Sequence, residues 1–545
     1  PASPYDYYVD GEGVGFALGP NSNYVNQPSL IRMETWGVTP ELTVKLGSSW
    51  QLRTTVHYGR SHDSTHFPGI NTTQAQCYIT GCTGIAAGQL DPLNVAAASG
   101  AVIADITNWE TAQETTHELF MVRAVADGSL FALPGGDAKL AVGLEFQNNT
   151  DATRITTNKL GVLDTLPYKR ASRNVKSIFG ELHLPVTSFL DLAASLRHDS
   201  YSDFGGTTNP NFGATLTPTP WLKVFGHWGK SYNAPTPYDN LGIGLGRAGQ
   251  NYVSTRPTVA AGKTDNGQGT YFIVLTGGSP AGIKPQTSES WAIGFDATPV
   301  QGLSVGAEYY SIDLQNAIGN LNPALGTTYQ TNPQYYIYND ELTANNNALF
   351  NTIMSQLDNG AAISAQVGGA AGVAILVDTR TSNLNAAKVA GIDFHLNYQT
   401  DTSFGQLTFT NNINLATRAI ITSSGATTNE LGHGQPRFLW ASSIGWAKSG
   451  WSAKATVNFS GKWRDTNANN LGVETEVSPF VITNLNLGYD FGDRGGPLDG
   501  TSLRLIVNNL FDTEPTYVRR VNNNAPSYVN WTLGRVIKIG VTKKF

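Results

Sequence analysis

Polar and apolar residues alternate with period two along most of this chain, the mark of strands with two unlike faces. Leu303, Val305, Ala307 and Tyr309 share one face, while Ser304, Gly306, Glu308 and Tyr310 share the other. Trp451, Ala453, Ala455, Val457 and Phe459 oppose Ser452, Lys454, Thr456, Asn458 and Ser460. At the end of the chain Ile537, Ile539, Val541 and Phe545 oppose Lys538, Gly540, Thr542 and Lys544. Similar runs centre on Val56, Val142, Leu184, Leu196, Val224, Ile293, Phe394, Phe409, Ile444 and Leu487. The runs are about ten residues long, which suits a strand tilted across a bilayer, and they number about seventeen. A soluble sandwich also alternates. It does not need so many long strands with Glu145, Glu181, Arg197, Glu308 and Asp393 along one face. The pattern predicts an all-β fold, a transmembrane antiparallel β-barrel with a polar lumen and a lipid-facing apolar surface.

The connections alternate as well. Short links at 217–220, 297–302, 399–405 and 447–450 separate long ones near 61–114, 150–173, 231–287, 314–387, 416–435 and 463–479. Several of the long ones exceed the roughly 12–15 residues usual for a loop in a compact domain. Short inner turns and long outer loops are the layout of an outer-membrane barrel. The last strand then runs inward to a periplasmic C-terminus. Counting back leaves residues 1–28 in an outer loop. A bacterial barrel has an even number of strands, so an odd count that begins outside implies further strands upstream.

Composition narrows the alternatives. Only 14% of the 545 residues are charged and the net charge is -6, which argues against nucleic acid as a partner. No run of about 18 apolar residues would cross a bilayer as a helix. The nearest, 360–377, is rich in glycine, is interrupted by Ser364 and Gln366, and reads as a loop. The two cysteines, Cys77 and Cys82, fall in the outer loop 61–114, where export favours a small disulfide between them. No nearby histidine completes a zinc set with them.

Four motifs in order resemble the barrel of TonB-dependent outer-membrane receptors. They are LFALPGGDAKLAVGLEFQ (130–147), LDLAASLRHDSYSDFGGTTNPNFGATLTPTPWLKVFGHWGKSYNAP (190–235), GGSPAGIKPQTSESWAIGFDATP (277–299) and LRLIVNNLFDTEP (503–515). In the third, Lys284-Pro285-Gln286-Thr287 stands where the family usually has K-P-E-T. Phe545 resembles the family's C-terminal aromatic assembly signal. The resemblance implies a bacterial outer-membrane barrel of about 22 strands. Residues 1–545 are then its C-terminal portion, with the N-terminal plug domain and the first strands not visible. It further implies a transporter rather than an enzyme. Its partners would be outer-membrane lipid, the plug in the lumen, TonB through the upstream region, and a scarce solute: a siderophore, a cobalamin-like cofactor or an oligosaccharide. A passive porin and a structural barrel of an envelope complex are the rival readings.

Candidate chemistry is sparse, and no cofactor is expected. GLGRAG (244–249) matches a dinucleotide pattern, but the following QNYVSTRP is no helix, so no amides are aimed at a pyrophosphate. His62 and His66 flank Asp63 in what reads as a loop, with His57 nearby, and nothing fixes them as a metal site. The segment 340–358 predicts a short helix, with Leu342, Leu349, Phe350, Ile353 and Leu357 packing inside an outer loop. Trp109, Tyr232, Tyr238, Trp463 and Arg464 sit near strand tops, where aromatics and arginine suit sugar stacking or an anionic chelate. They are the candidate substrate-binding residues.

Overall fold

The structure is a computed structural model. It describes residues 29–544 apart from 93, 238–246, 253–258, 261, 277–282, 320–332, 358, 424–425, 466–474, 493–495 and 517–532. The C-terminal Phe545 therefore lies outside the described residues.

Seventeen staves form one antiparallel wall. They are β1 (Leu30–Val38, continuing as Glu41–Leu46), β2 (Trp50–Gly69), β3 (Trp109–Leu133), β4 (Gly136–Asn158), β5 (Lys169–Thr187), β6 (Leu190–Tyr201), β7 (Gly205–Thr219), β8 (Leu222–Asn233), β9 (Gln286–Ala297), β10 (Leu303–Gly319), β11 (Ser382–Thr402), β12 (Gly405–Ser423), β13 (Phe438–Lys448), β14 (Trp451–Ser460), β15 (Phe480–Asp490), β16 (Thr501–Asn508) and β17 (Val536–Lys543). Each stave pairs with the next in chain order. A short arm, Ala426–Asn429, folds back on β12. The count agrees with the expected seventeen. Among the described residues no pairing joins β17 to β1.

Inner turns are as short as two residues. At the β13–β14 turn Ser449 and Gly450 both take positive φ, 50° and 87°, the twist that lets adjacent strands continue without splaying. A Cβ on Gly450 would stand 2.4 Å from the Asp490 carbonyl oxygen, so glycine is required there. At the other end the wall overshoots. β2, β3 and β4 have 20, 25 and 23 residues, against the 9–11 that cross a bilayer, so they project well beyond it.

Register puts the two faces where the alternation placed them. Leu144, Ile178, Leu196, Ile293, Ile444 and Ile539 are exposed, each more than half, on the outward surface. Val305 shares that surface through Ala307, which pairs with Phe295, and Val457 through its partner Ser442, two residues from Ile444. Aromatic contacts stand at two levels. Phe212–Trp228 (5.9 Å) and Trp291–Tyr309 (5.3 Å) lie near the middle of their strands, and Trp451–Tyr489 (4.5 Å) lies beside the inner turns. Exposed apolar surface of this extent belongs against lipid.

Outside the wall the connections fold into bodies of their own. The 70–108 connection carries α1 (Thr72–Thr80) and α2 (Gly100–Thr107), capped by Asn71 and Ser99, around a core of Ala75, Leu90, Val95, Val102 and Ile106. The two longest connections, 234–285 and 320–381, together build a four-stranded sheet in the order Arg247–Tyr252, Tyr271–Thr276, Val373–Asp378, Tyr336–Tyr338. Its central pair is parallel, which takes one strand from each connection. Helices α3 (Asn339–Ser355, kinked at Ala344–Asn347) and α4 (Gly360–Val367) cover it through Leu342, Phe350, Ile353, Ile363 and Val367. Asn339 fastens this cap: its buried amide donates to the carbonyls of Ala370 (3.2 Å) and Val373 (2.6 Å). Burial pushes the Tyr338 phenol up, and its oxygen accepts from the Ala260 N–H at 2.9 Å.

Three expectations are corrected. The 360–377 segment is not a loop. It is α4, a 3-10 turn and a strand whose Val373–Val377 are fully buried. A strand buried on both faces reads as a continuous apolar run and shows no alternation. Cys77 and Cys82 are free thiols, not a disulfide. Cys77 belongs to helix α1 and Cys82 to a backbone bridge with Ile85, and the neighbouring Cys77 thiol raises the Cys82 thiol. His57, His62, Asp63 and His66 lie on β2 rather than in a loop. The helical reading of 340–358 holds, with Leu349 exposed instead of packed.

Two outcomes are expected. Arginine at Val305 or Val457 should impair assembly, because a cation on the lipid face near the midplane costs about 2–4 kcal/mol. Lysine at Ser304 or Asn458 should be tolerated. Heat-modifiable migration on gels reads both, and equal damage from the two sets refutes the facing. Separately, Asn339→Ala strips the cap of its buried donor, worth about 1–3 kcal/mol locally. Amide exchange should rise across 336–378 while the barrel stays heat-modifiable. Unchanged exchange would mean that the cap is not pinned at Asn339.

Candidate functional site

The polar face of the wall has two unlike halves. On β3 to β6 it is charged and largely paired within itself, with one buried oxygen of Asp199, Oδ2, left without a hydrogen-bond partner. Arg123 pairs with Glu145, and Arg197 reaches Glu145 (2.7 Å), Asp199 (2.8 Å) and Ser177 (2.8 Å). Gln147 donates to Glu145 at 2.8 Å, and the Arg197 guanidinium lies 5.3 Å from the Phe179 ring centre. The Glu145 and Asp199 side chains are each only 1% exposed, so these ions are held by one another rather than by water. Strand register brings them together: Glu145 is opposite Arg123 and Ser177, and Ser177 is opposite Asp199.

At the outer mouth of this half sits an arginine–aromatic cluster. Arg173 forks onto Asp203 (2.6 Å) and lies over Tyr201 and Phe204, with ring centres at 5.5 and 5.2 Å. Tyr201 stacks on Phe204 at 4.4 Å and shares a hydroxyl hydrogen bond with Tyr232.

On β11 to β16 the inner face carries Asp393, Lys454 and Arg504, and a group of amides gathers among them. A recess of about 690 Å³ is lined by Asn412, Asn414, Asn458, Asn484 and Asn508, with Leu439, Phe480 and Ile482 supplying apolar surface between them. The elements place these amides together because alternate residues of each strand face inward, and neighbouring strands keep the register: Asn412 lies opposite Ala441, and Ala441 opposite Asn458. Asn414 donates to Asp393 (2.6 Å) and to the Tyr310 hydroxyl (3.4 Å), and Asn484 accepts from the Asn509 N–H (2.9 Å). Counted along the strands, the amides stand about 15–23 Å above the inner turns, level with the outer leaflet.

The four candidate binding residues that the structure describes do not converge. Tyr232 joins the arginine–aromatic cluster. Trp109 opens β3 and lies half-buried against Gly69. Trp463 is buried, 4% exposed, on Val477 of the small hairpin Trp463–Asp465/Thr475–Val477. Arg464 ties its backbone to Gly432 and Gly434. Tyr238 lies outside the described residues. What sequence reasoning missed is the amide wall. Its signal was the asparagines at inward positions of successive C-terminal strands, in NNINL, VNFS, NLNLGYD and VNNL. Among the described residues no group of three or more His, Cys, Asp or Glu side chains is placed to hold a metal ion.

Comparison with known proteins agrees with this architecture. Residues 2–510 match the family described as TonB dependent receptor-like, beta-barrel. Among solved structures, a mutant ferric enterobactin receptor (PfeA) of Pseudomonas aeruginosa in complex with enterobactin aligns with a TM-score of 0.50 at 15% identity, over 94% of this chain and 71% of that one. The outer membrane transporter YddB of Escherichia coli aligns with a TM-score of 0.58 at 9% identity, over 95% of this chain and 63% of that one. Identities this low carry the fold alone. No curated protein gives a significant sequence match. With a family match across most of its length, and the staves and faces that such a barrel requires, the chain belongs to the TonB-dependent receptor family: an outer-membrane transporter barrel, not an enzyme.

Proposed function

We propose that this barrel belongs to an active importer, one that takes up a scarce solute too large for porins and draws its energy through TonB. The observation that carries the reading is the continuous polar inner face of seventeen staves. A barrel of about 22 strands encloses a lumen too wide for side chains to fill, and an open lumen breaches the permeability barrier. A plug domain in that lumen, with further strands completing the wall, meets both needs. The two exposed sheet edges, β1 and β17, are where such strands would pair. The outer membrane has no nucleotide supply, so work on the plug must arrive mechanically from the inner membrane. Breaking no bond in the solute, the protein needs recognition and movement, not catalytic groups. A siderophore, a cobalamin-like cofactor and an oligosaccharide all fit this description.

Uptake separates this reading from a porin. A labelled solute should enter cells that make the full-length protein and TonB, and uptake should stop when an uncoupler collapses the proton gradient. Uptake indifferent to both, and linear in external concentration, makes the protein a passive pore.

A further inference from the structure

We propose that the solute is neutral and rich in hydroxyl groups, of the carbohydrate class, and that the amide wall of β11 to β16 grips it. This rests on the importer reading above. Three observations converge. First, the recess has the size of a small-molecule site, about 690 Å³, and faces the lumen at the level of the outer leaflet. Its lining residues on β15 and β16, Phe480, Ile482, Asn484 and Asn508, all belong to the inward face.

Second, its polar groups suit hydroxyls. A carboxamide offers two donors and an acceptor with two lone pairs in one plane, so it meets a hydroxyl in either role. Among the described residues the side chains of Asn412, Asn458 and Asn508 meet no hydrogen-bond partner, whereas Glu145 of the opposite half is held between Arg123 and Arg197. Leu439, Phe480 and Ile482 between the amides offer the apolar surface against which the C–H face of a sugar ring packs.

Third, the charge is wrong for an anion. Among the described residues no lysine or arginine lines the recess; Asp393 does, and His395, the one basic side chain there, already lies 3.5 Å from Asp296. Asp393 has the Asn414 amide as its partner at 2.6 Å, not a cation. A multiply charged ferric chelate would lose hydration there and face a carboxylate with no lysine or arginine beside it.

The test is calorimetric titration of the folded receptor in detergent micelles with two probes. One is a panel of neutral gluco-oligosaccharides, maltohexaose and cellohexaose; the other is ferric enterobactin, an anionic chelate. At least one neutral oligosaccharide should bind. Asn458→Leu, which keeps volume and removes both hydrogen-bonding roles, should weaken it at least tenfold, and Asn458→Gln should restore most of the loss. Heat-modifiable migration and the unfolding temperature should match the parent, which separates lost recognition from lost folding or a loosened plug. An Asn412→Leu variant provides an independent second reading. Binding of the ferric chelate with no binding by the neutral panel overturns the substrate class and leaves the importer standing. Neutral binding untouched by both leucine variants overturns the site, as does weakening that tracks a lowered unfolding temperature in both. Uncoupler-resistant uptake of whichever probe binds removes the importer reading itself.

Discussion

Hydrocarbon offers no partner to a backbone N–H or C=O, and each one left unpaired there costs several kcal/mol. A chain that crosses with strands must therefore pair every strand on both sides. The consecutive antiparallel pairings from β1 to β17 are the simplest way to do so, because each hairpin supplies its own neighbour. Once the ladder is fixed, side chains have only two directions. Leu144, Ile293 and Ile444 go to lipid, while Glu145, Arg197 and Asp393 go to the lumen. Register, faces and the inner recess all follow from that one requirement.

The requirement ends where the hydrocarbon ends, and the chain changes character there. β2 to β4 continue as a polar wall, with cross-strand hydroxyl pairs such as Thr111–Thr157 (3.2 Å) and Thr115–Thr153 (3.1 Å) replacing apolar contacts. Water now competes for the backbone, so stability must come from burial. The cap answers with a core of the soluble kind: Ile273, Leu275, Leu342, Phe350 and Val373 to Val377 are all at most 1% exposed. The membrane wall instead exposes its large apolar residues. One chain thus uses opposite hydrophobic logic on the two sides of one boundary. The cap's parallel central pair also joins two connections that are 34 residues or more apart, so neither folds this way without the other.

How much of this was legible in the sequence follows from the same contrast. A membrane stave has a wet face and a lipid face, so alternation reveals it. The expected number of strands, their faces and the alternation of short and long connections therefore agree with the structure. Val373–Asp378 is wrapped on both sides, so its apolar run carried no period and read as a loop. The thiols of Cys77 and Cys82 were paired on compartment alone, whereas Cys77 belongs to α1 and Cys82 to the Ile85 bridge. The candidate aromatics were chosen for standing near strand tops. Which of them meet depends on lateral neighbours, and lateral neighbours are set by register across connections of many residues. Tyr232 found Tyr201 that way; Trp463 turned out to be core of its own hairpin.

The division of the inner wall is the last step. Ions taken out of water are stable only when paired and hydrogen-bonded, and the β3 to β6 cluster meets most of that condition by itself, leaving Asp199 Oδ2 as its one orphaned oxygen. Its guanidinium groups are already engaged by carboxylates, and that mutual pairing braces that side of the lumen. Amides bear the opposite relation to an absent partner. Leaving one wetted costs nothing, and satisfying it by a solute adds a modest, directional gain. A wall that must release its cargo after each cycle is better built from many such weak, neutral contacts than from a few strong ionic ones. The ion-paired half and the amide half are thus different solutions to one problem, holding a wide polar lumen in shape while leaving part of it free to bind.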